Sequence, residues 1–295
     1  MFEYTGGALP SASDIRTFSY SPIGMTVPMK GGKRYLYTDI QDQSRVGICT
    51  AIHLTQNAGK AYGKRFSADF QYLCQKMFHD RSWNEGSSIL AALWVAKNIG
   101  LLEEKDWEYT KQRDRSKGYE WYIEKLKNIP QKDIERLVQK AKRSKYRVKA
   151  FASVPVDRDS MADAILQDIN NAGILARFDL GNEWWTKKTG ENTNDKNYIE
   201  PLRPPRLVIS GHAVTISNFD GGSFRIANTW GNDWADNGTA YFLLRQYRPT
   251  ECWRVWYENL DKLPLEIEQQ LAKRSGFGGK TFDVLERIRR IFFVV

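Results

Sequence analysis

Three short stretches of the chain carry side chains that could perform nucleophilic chemistry together. Gln43-Ser44-Arg45-Val46-Gly47-Ile48-Cys49 offers a thiol, Gly211-His212-Ala213-Val214 a base, and Asn228-Thr229-Trp230-Gly231 an amide that can orient the base. Cysteine attacks carbonyl carbon well only as the thiolate, so it needs a positive end nearby: a helix N-terminus, an imidazolium, or both. Ala51, Ile52, Leu54, Ala58, Ala61 and Tyr62 form an imperfect apolar stripe between Cys49 and Gly63, which predicts a helix starting at the thiol. Its unpaired N–H groups and macrodipole would favour the anion. In this arrangement His212 takes the thiol proton and returns it to a leaving amine, while Asn228 fixes the ring's orientation and tautomer. Gln43 would offer a side-chain N–H to an oxyanion alongside the backbone N–H of Cys49.

Secondary structure must bring these residues to one place. Helical patterns fall near residues 49–63, 66–79 and 87–99, and much of 124–149 is also helical in pattern. Short strands are expected near 146–153, 173–179, 206–218, 223–228, 239–245 and 252–257, separated by turns such as Asp220-Gly221-Gly222. Gly31-Gly32, between Thr26-Val27-Pro28-Met29 and Arg34-Tyr35-Leu36-Tyr37, predicts a hairpin before the nucleophile. Helices gathered in one lobe and strands in the other give an α+β chain with a cleft, Cys49 on one side and His212 with Asn228 on the other.

In order and spacing these stretches resemble the papain-like cysteine peptidases over roughly residues 9 to 257. The family's Gln…Cys stretch is similar to Gln43 to Cys49, and its His-Ala-Val strand to His212 to Val214. Its Asn-Ser-Trp-Gly…Trp…Asn-Gly run is similar to Asn228, Thr229, Trp230, Gly231, Trp234, Asn237 and Gly238. Leu9-Pro10-Ser11-Ala12-Ser13-Asp14-Ile15-Arg16 resembles the start of a mature family domain. The resemblance implies a helical lobe at about 41–120, an antiparallel β-barrel-like lobe from about 1–40 and 121–257, and a helical tail over 258–295. It also implies that Gly86, Ser87 and Ala213 help to line the substrate site and that Trp230 shields the bond between Asn228 and His212. The implied activity is endopeptidase cleavage through an acyl-enzyme thioester. Two other readings stay open: a thiol acyl or amide transferase, in which an amine resolves the same thioester, and a catalytically silent interaction module.

The chain departs from the family where plant and animal members read Cys-Gly-Ser-Cys-Trp. Here the stretch is Val46-Gly47-Ile48-Cys49-Thr50, so the usual disulfide partner is missing, as in bacterial, archaeal and viral branches. His212 also follows Cys49 by 163 residues (212 − 49), beyond the usual interval, and a polar loop at 181–206 can absorb the excess.

The remaining cysteines and histidines point to packing. Cys74 shares a helical stripe with Phe66, Phe70 and Met77, and Cys252 sits among Trp253, Val255, Trp256 and Tyr257 in an expected strand. His53 lies one turn after Cys49 and is expected to pack beside the helix; His79, beside Asp80, reads as a loop residue. Three cysteines and three histidines without ligand spacing predict no metal and no cofactor. At 295 residues and 41% hydrophobic the chain can bury a sizeable core. Its opening residues lack a signal-peptide pattern, no run reaches membrane-spanning length, and the few cysteines suit a reducing compartment. A cytoplasmic location is therefore expected, with a virion or export by a non-standard route left open.

Net charge is +9, and residues 124–149 hold ten Lys and Arg against three acids. A solvated helical face accounts for them, with an acidic protein partner as the next reading; no nucleic-acid motif accompanies the charge. Only eight residues precede Leu9, which leaves no room for a long inhibitory prosegment. The tail, where Leu263–Lys273 and Phe282–Phe293 read as helices and Phe282, Leu285, Ile288 and Phe292 share one face, is expected to govern access or partner choice, with simple docking on its own domain or a partner and contact with a membrane surface left open.

Overall fold

The computed structural model describes residues 6–12, 18–19, 40–107, 109, 114, 116–185, 201–265 and 267–269. The hairpin expected around Gly31-Gly32, residues 186–200 of the polar loop and the tail helix Phe282–Phe293 lie outside the described residues.

Helix α1 (Cys49–Tyr62) starts at the thiol, as its stripe predicts, and stops at Gly63 in the left-handed conformation. Helix α2 (Ala68–Cys74) begins at Ser67, whose hydroxyl accepts from the Phe70 N–H, and runs into a π-helical turn, Gln75–Asp80. Helix α3 (Ile89–Asn98) is capped in the same way by Ser88. Such caps contribute about 1 kcal/mol each. Helices α4 (Tyr119–Lys127) and α5 (Gln131–Arg143) follow, and their buried stripes, Tyr122 with Leu126 and Ile134 with Leu137, join Ile52, Phe70 and Val95 in one cluster. Residues 121–143, expected in the β-rich lobe, therefore belong with the helices. Helical apolar stripes interlock with other helices, and here those are α1 to α3.

Nine strands complete the described fold. The two-residue strands β1 (Ala8–Leu9) and β3 (Ser87–Ser88) pair in parallel. The others are β2 (Phe18–Ser19), β4 (Val148–Ser153), β5 (Ile174–Leu180), β6 (Ser210–Phe219), β7 (Phe224–Ala227), β8 (Thr239–Phe242) and β9 (Glu251–Tyr257). These form one sheet in the order β2-β4-β9-β5-β6-β7-β8, antiparallel except between β2 and β4. The expected barrel-like lobe is thus an open sheet in its hydrogen bonding among the described residues, with β2 and β8 at the edges. Helix α6 (Arg158–Leu166), which the periodicity did not announce, packs Met161, Ala162 and Ile165 into the sheet's core. Small alanines blur its stripe; its local signal is the Asp157 carboxylate, which accepts from the Ser160 N–H at 2.8 Å. The start of the tail docks on the same core through Leu263 and Ile267.

The architecture is α+β, with the site-bearing strand β6 near the middle of the sheet. Exposed basic residues of α4 and α5 pair locally, Lys127 with Glu124 and Arg136 with Asp133, while Lys140 reaches Asp106. This is the behaviour of a solvated face. Among the described residues no helix is long and apolar enough to cross a membrane.

Candidate active site

Cys49 opens α1 with no side-chain cap, because Ile48 occupies the N-cap position. The first backbone N–H groups of the helix are thus left for the thiol or for a ligand. Across the cleft the Ala213 N–H donates to the Cys49 sulfur at 3.5 Å, so strand β6 meets the helix start at the residue after His212.

His212 is positioned from its own lobe. Its Nε2 donates to the Asn228 side-chain oxygen at 2.6 Å, and that oxygen also accepts the Thr229 N–H at 2.8 Å. A carbonyl accepting from both N–H groups assigns the amide orientation and the ring tautomer: hydrogen on Nε2, lone pair on Nδ1. Nδ1 has no hydrogen-bond partner among the described residues. Trp230 stacks on the ring with centroids 4.7 Å apart, and Trp184 meets it edge-on at 6.1 Å. Trp184 is a contributor the sequence reading missed. It has no regular pattern around it; the hydrogen bond from Trp234 Nε1 to its carbonyl, at 2.8 Å, and ring contacts with Trp230 and Trp234 tie it to the tryptophans that the motif contains.

Gln43 links the lobes. Its backbone N–H donates to the Thr229 carbonyl at 2.8 Å, its side-chain oxygen accepts from the Thr229 hydroxyl at 2.5 Å, and its Nε2 donates to the Val46 carbonyl at 3.1 Å. Nearby, the Gly47 N–H is held by the Glu85 carboxylate at 2.7 Å. Gly86 is fixed from beneath by the buried Lys76 ammonium, which donates to its carbonyl and pairs with Asp80 at 3.0 Å. Lys76 sits on the π-helical turn, a feature with no sequence signal of its own. Ser87 and Ala213 are both buried, Ala213 in the same apolar cluster as Cys49, while Trp230 is stacked on His212.

Cys49 and His212 are both fully buried, and burial sets their charge. It pushes the Cys49 thiol up to about 12, against the pull of the Ala213, Thr50 and Cys49 backbone N–H groups and the Arg177 charge. It also holds the His212 imidazole down at about 4, with the Asn228 hydrogen bond opposing. The closed site therefore contains a neutral thiol and a neutral imidazole. The helix start alone led to the expectation of a thiolate; removal from water outweighs that dipole here.

The other candidates settle into the core. Cys74, Cys252 and Cys49 fall in three separate apolar clusters. His53 Nδ1 lies 3.2 Å from the Thr215 hydroxyl, and its ring is edge-on to His212 at 6.3 Å. Among the described residues, no group of three or more His, Cys, Asp or Glu side chains could hold a metal ion.

No protein-family model matches the sequence, and no curated protein matches it either. Solved structures do. The chain superposes on xylellain, a cysteine protease from Xylella fastidiosa, with a TM-score of 0.64 at 21% identity, covering 85% of this chain and 95% of that one. It matches proCathepsin B S9 from Trypanosoma congolense with a TM-score of 0.57 at 13% identity, covering 86% and 87%. Digestive procathepsin L 3 from the larval midgut of Tenebrio molitor gives 0.53 at 15% identity, covering 85% and 75%.

Proposed function

We propose that this chain, which has the fold of papain-like cysteine peptidases, is itself a cysteine endopeptidase acting on peptides or proteins through Cys49, His212, Asn228 and Gln43. The observation that carries the reading is the state of His212. Its Nε2–H is given to Asn228, its Nδ1 lone pair is unused, and the next residue's N–H holds the Cys49 thiol.

The chemistry follows from that arrangement. As substrate binds, Nδ1 of His212 removes the thiol proton and the thiolate attacks the scissile carbonyl carbon. The oxyanion is received by the Cys49 N–H and by the Nε2 hydrogen of Gln43 that Val46 does not take. Collapse to a thioester expels the amine, which leaves with the proton from His212. Water then attacks the thioester with His212 as base, freeing the acid and restoring the thiol. Asn228 holds the ring through both proton transfers, and Trp230 keeps water from their hydrogen bond. The three separately buried cysteines suit a reducing, cytoplasmic setting.

A thiol-directed activity probe that labels Cys49, with turnover of a peptide library lost in Cys49→Ala, is the expected result. Stoichiometric labelling of Cys74 with Cys49 untouched would overturn the assignment. Product masses in the presence of an added amine separate hydrolysis from transfer, and a folded chain that neither labels nor turns over would be a silent module.

A further inference from the structure

Two charged side chains of opposite sign act on the loop that carries Gly86. Lys76, on the π-helical turn, is 2% exposed, and its ammonium donates to the Gly86 carbonyl and to Asp80 at 3.0 Å, with the Tyr72 ring centre 5.2 Å away. Burying an ammonium is unfavourable unless it is paired, and packing alone would be served as well by an apolar side chain. What a cation adds here is a strong grip on one carbonyl oxygen. In a trans peptide the C=O and N–H point opposite ways, so the Ser87 N–H is directed away from Lys76. The turn takes a φ of 86° at Gly86, which glycine adopts without strain. Further back in the same loop, the Tyr119 hydroxyl donates between the Trp83 and Asn84 carbonyls, at 3.0 and 3.1 Å, and the buried Tyr72 hydroxyl lies 3.1 Å from it.

Glu85, the residue before Gly86, connects this loop to the nucleophile. Its carboxylate accepts the Gly47 N–H at 2.7 Å, two residues before the thiol. A Cβ on Gly47 would lie 2.8 Å from Glu85 Cγ, so glycine there is what admits the side chain. All three cysteines are free, so no covalent bond ties the stretch before Cys49 to the loop. Lys76 thus restrains the peptide unit after Gly86, and Glu85 carries that restraint to the backbone that leads into α1.

We propose that Lys76 and Glu85 are positioning residues for the peptidase reaction, which hold the peptide unit between Gly86 and Ser87 and the start of α1 in one register, so that a bound peptide meets the Cys49 sulfur at a set distance. The proposal rests on the cysteine peptidase reading above, in which Gly86 and Ser87 belong to the substrate site. Neither side chain bonds to Cys49 or His212. Their effect is through the backbone, where a small misplacement of the reacting groups is enough to slow the attack.

The test pairs amide hydrogen exchange of the full chain with steady-state kinetics on one peptide drawn from a library. Glu85→Ala should speed exchange at the Gly47 amide and lower kcat, each by about tenfold or more, the factor that a lost bond to a charged group carries. Glu85→Gln keeps a carbonyl oxygen for the Gly47 N–H and should recover most of both. Lys76 is bonded to neither Glu85 nor Gly47, yet Lys76→Met should raise KM several-fold and also speed exchange at Gly47, because it frees the neighbouring peptide unit. Where the unpaired Asp80 unfolds that variant, Lys76→Met with Asp80→Asn takes its place. Unchanged Gly47 exchange in a folded Glu85→Ala chain would overturn the proposal. So would faster exchange with kcat and KM both unchanged, which would leave the pair as structural supports only. Exchange that responds as expected in a chain that hydrolyses no peptide would keep the tie between the loops and sink the peptidase reading.

Discussion

Around His212 the restraints come mostly from one lobe: the Asn228 oxygen, the stacked Trp230 and the edge of Trp184 all belong to the sheet lobe. Around Cys49 only the helix start is local. The sulfur accepts from Ala213 on β6, and Gln43 is fixed by Thr229. Further along α1, His53 faces Thr215, while Asn57 donates to the Ala172 carbonyl at 2.6 Å and accepts from the Tyr257 hydroxyl at 2.6 Å. His212 is therefore set by the folding of its own lobe, whereas the surroundings of Cys49 exist only once the lobes dock. Buried polar bonds across the junction fix that docking in one register.

The largest expected effect strikes both halves. Cys49→Ala and His212→Ala should each lower turnover by on the order of 10⁴-fold or more while leaving the fold intact, because each removes a group that forms or breaks a bond. Asn228→Ala should cost less than His212→Ala, since it orients the base without transferring the proton; steady-state kinetics on one peptide ranks the three. A larger loss from Asn228→Ala would break the division between positioning and proton transfer.

Next, Gln43→Ala should lower turnover by about 10²-fold, the usual loss of one oxyanion donor. A rise in KM with kcat unchanged would leave Gln43 as a docking residue only.

Stability against pH probes the base half. His212 is held at about 4 when folded, against an ordinary value of 6.5, so as the pH falls the unfolded chain takes the proton first. The contribution is full above about 6.5 and is lost as the pH falls toward about 4, reaching about 3 kcal/mol. His53, also lowered by burial, acts in the same direction. Urea midpoints at pH 7.5 and 4.5 should differ accordingly, and His212→Gln should narrow the gap. Equal midpoints in the unsubstituted chain would mean that the imidazole is not buried neutral.

The smallest effect belongs to the junction. Thr229→Val strips the hydroxyl from the buried Gln43 oxygen and should cost about 1–3 kcal/mol in thermal or urea unfolding. A change confined to turnover, with stability untouched, would show that the lobes dock without this bond.

Local pattern made much of this legible. The stripe after Cys49 marked α1 and its start, short runs set off by turns marked β4 to β9, and the family resemblance of the Asn228-Thr229-Trp230-Gly231 run implied the indole that the structure has against His212. Each signal repeats within a few residues and depends on one buried face. Missed features lacked such a repeat: α6, whose buried face mixes Met161 and Ile165 with small and polar residues, and Trp184, Thr229, Lys76 and Arg177, which matter through partners farther away in sequence.

Residue types and order by themselves thus determined that a thiol, an imidazole and an amide would come from a helix start, a strand and the turn after the next strand, because periodicity is a short-range property of the chain. Only the tertiary structure decided the charge state of Cys49 and His212 and the pairing of Gly7–Leu9 beside them. Desolvation of Cys49 and His212 depends on everything packed around them, and Gly6–Leu9 reaches Ser87, Arg177 and Gly211 through contacts that no local pattern encodes.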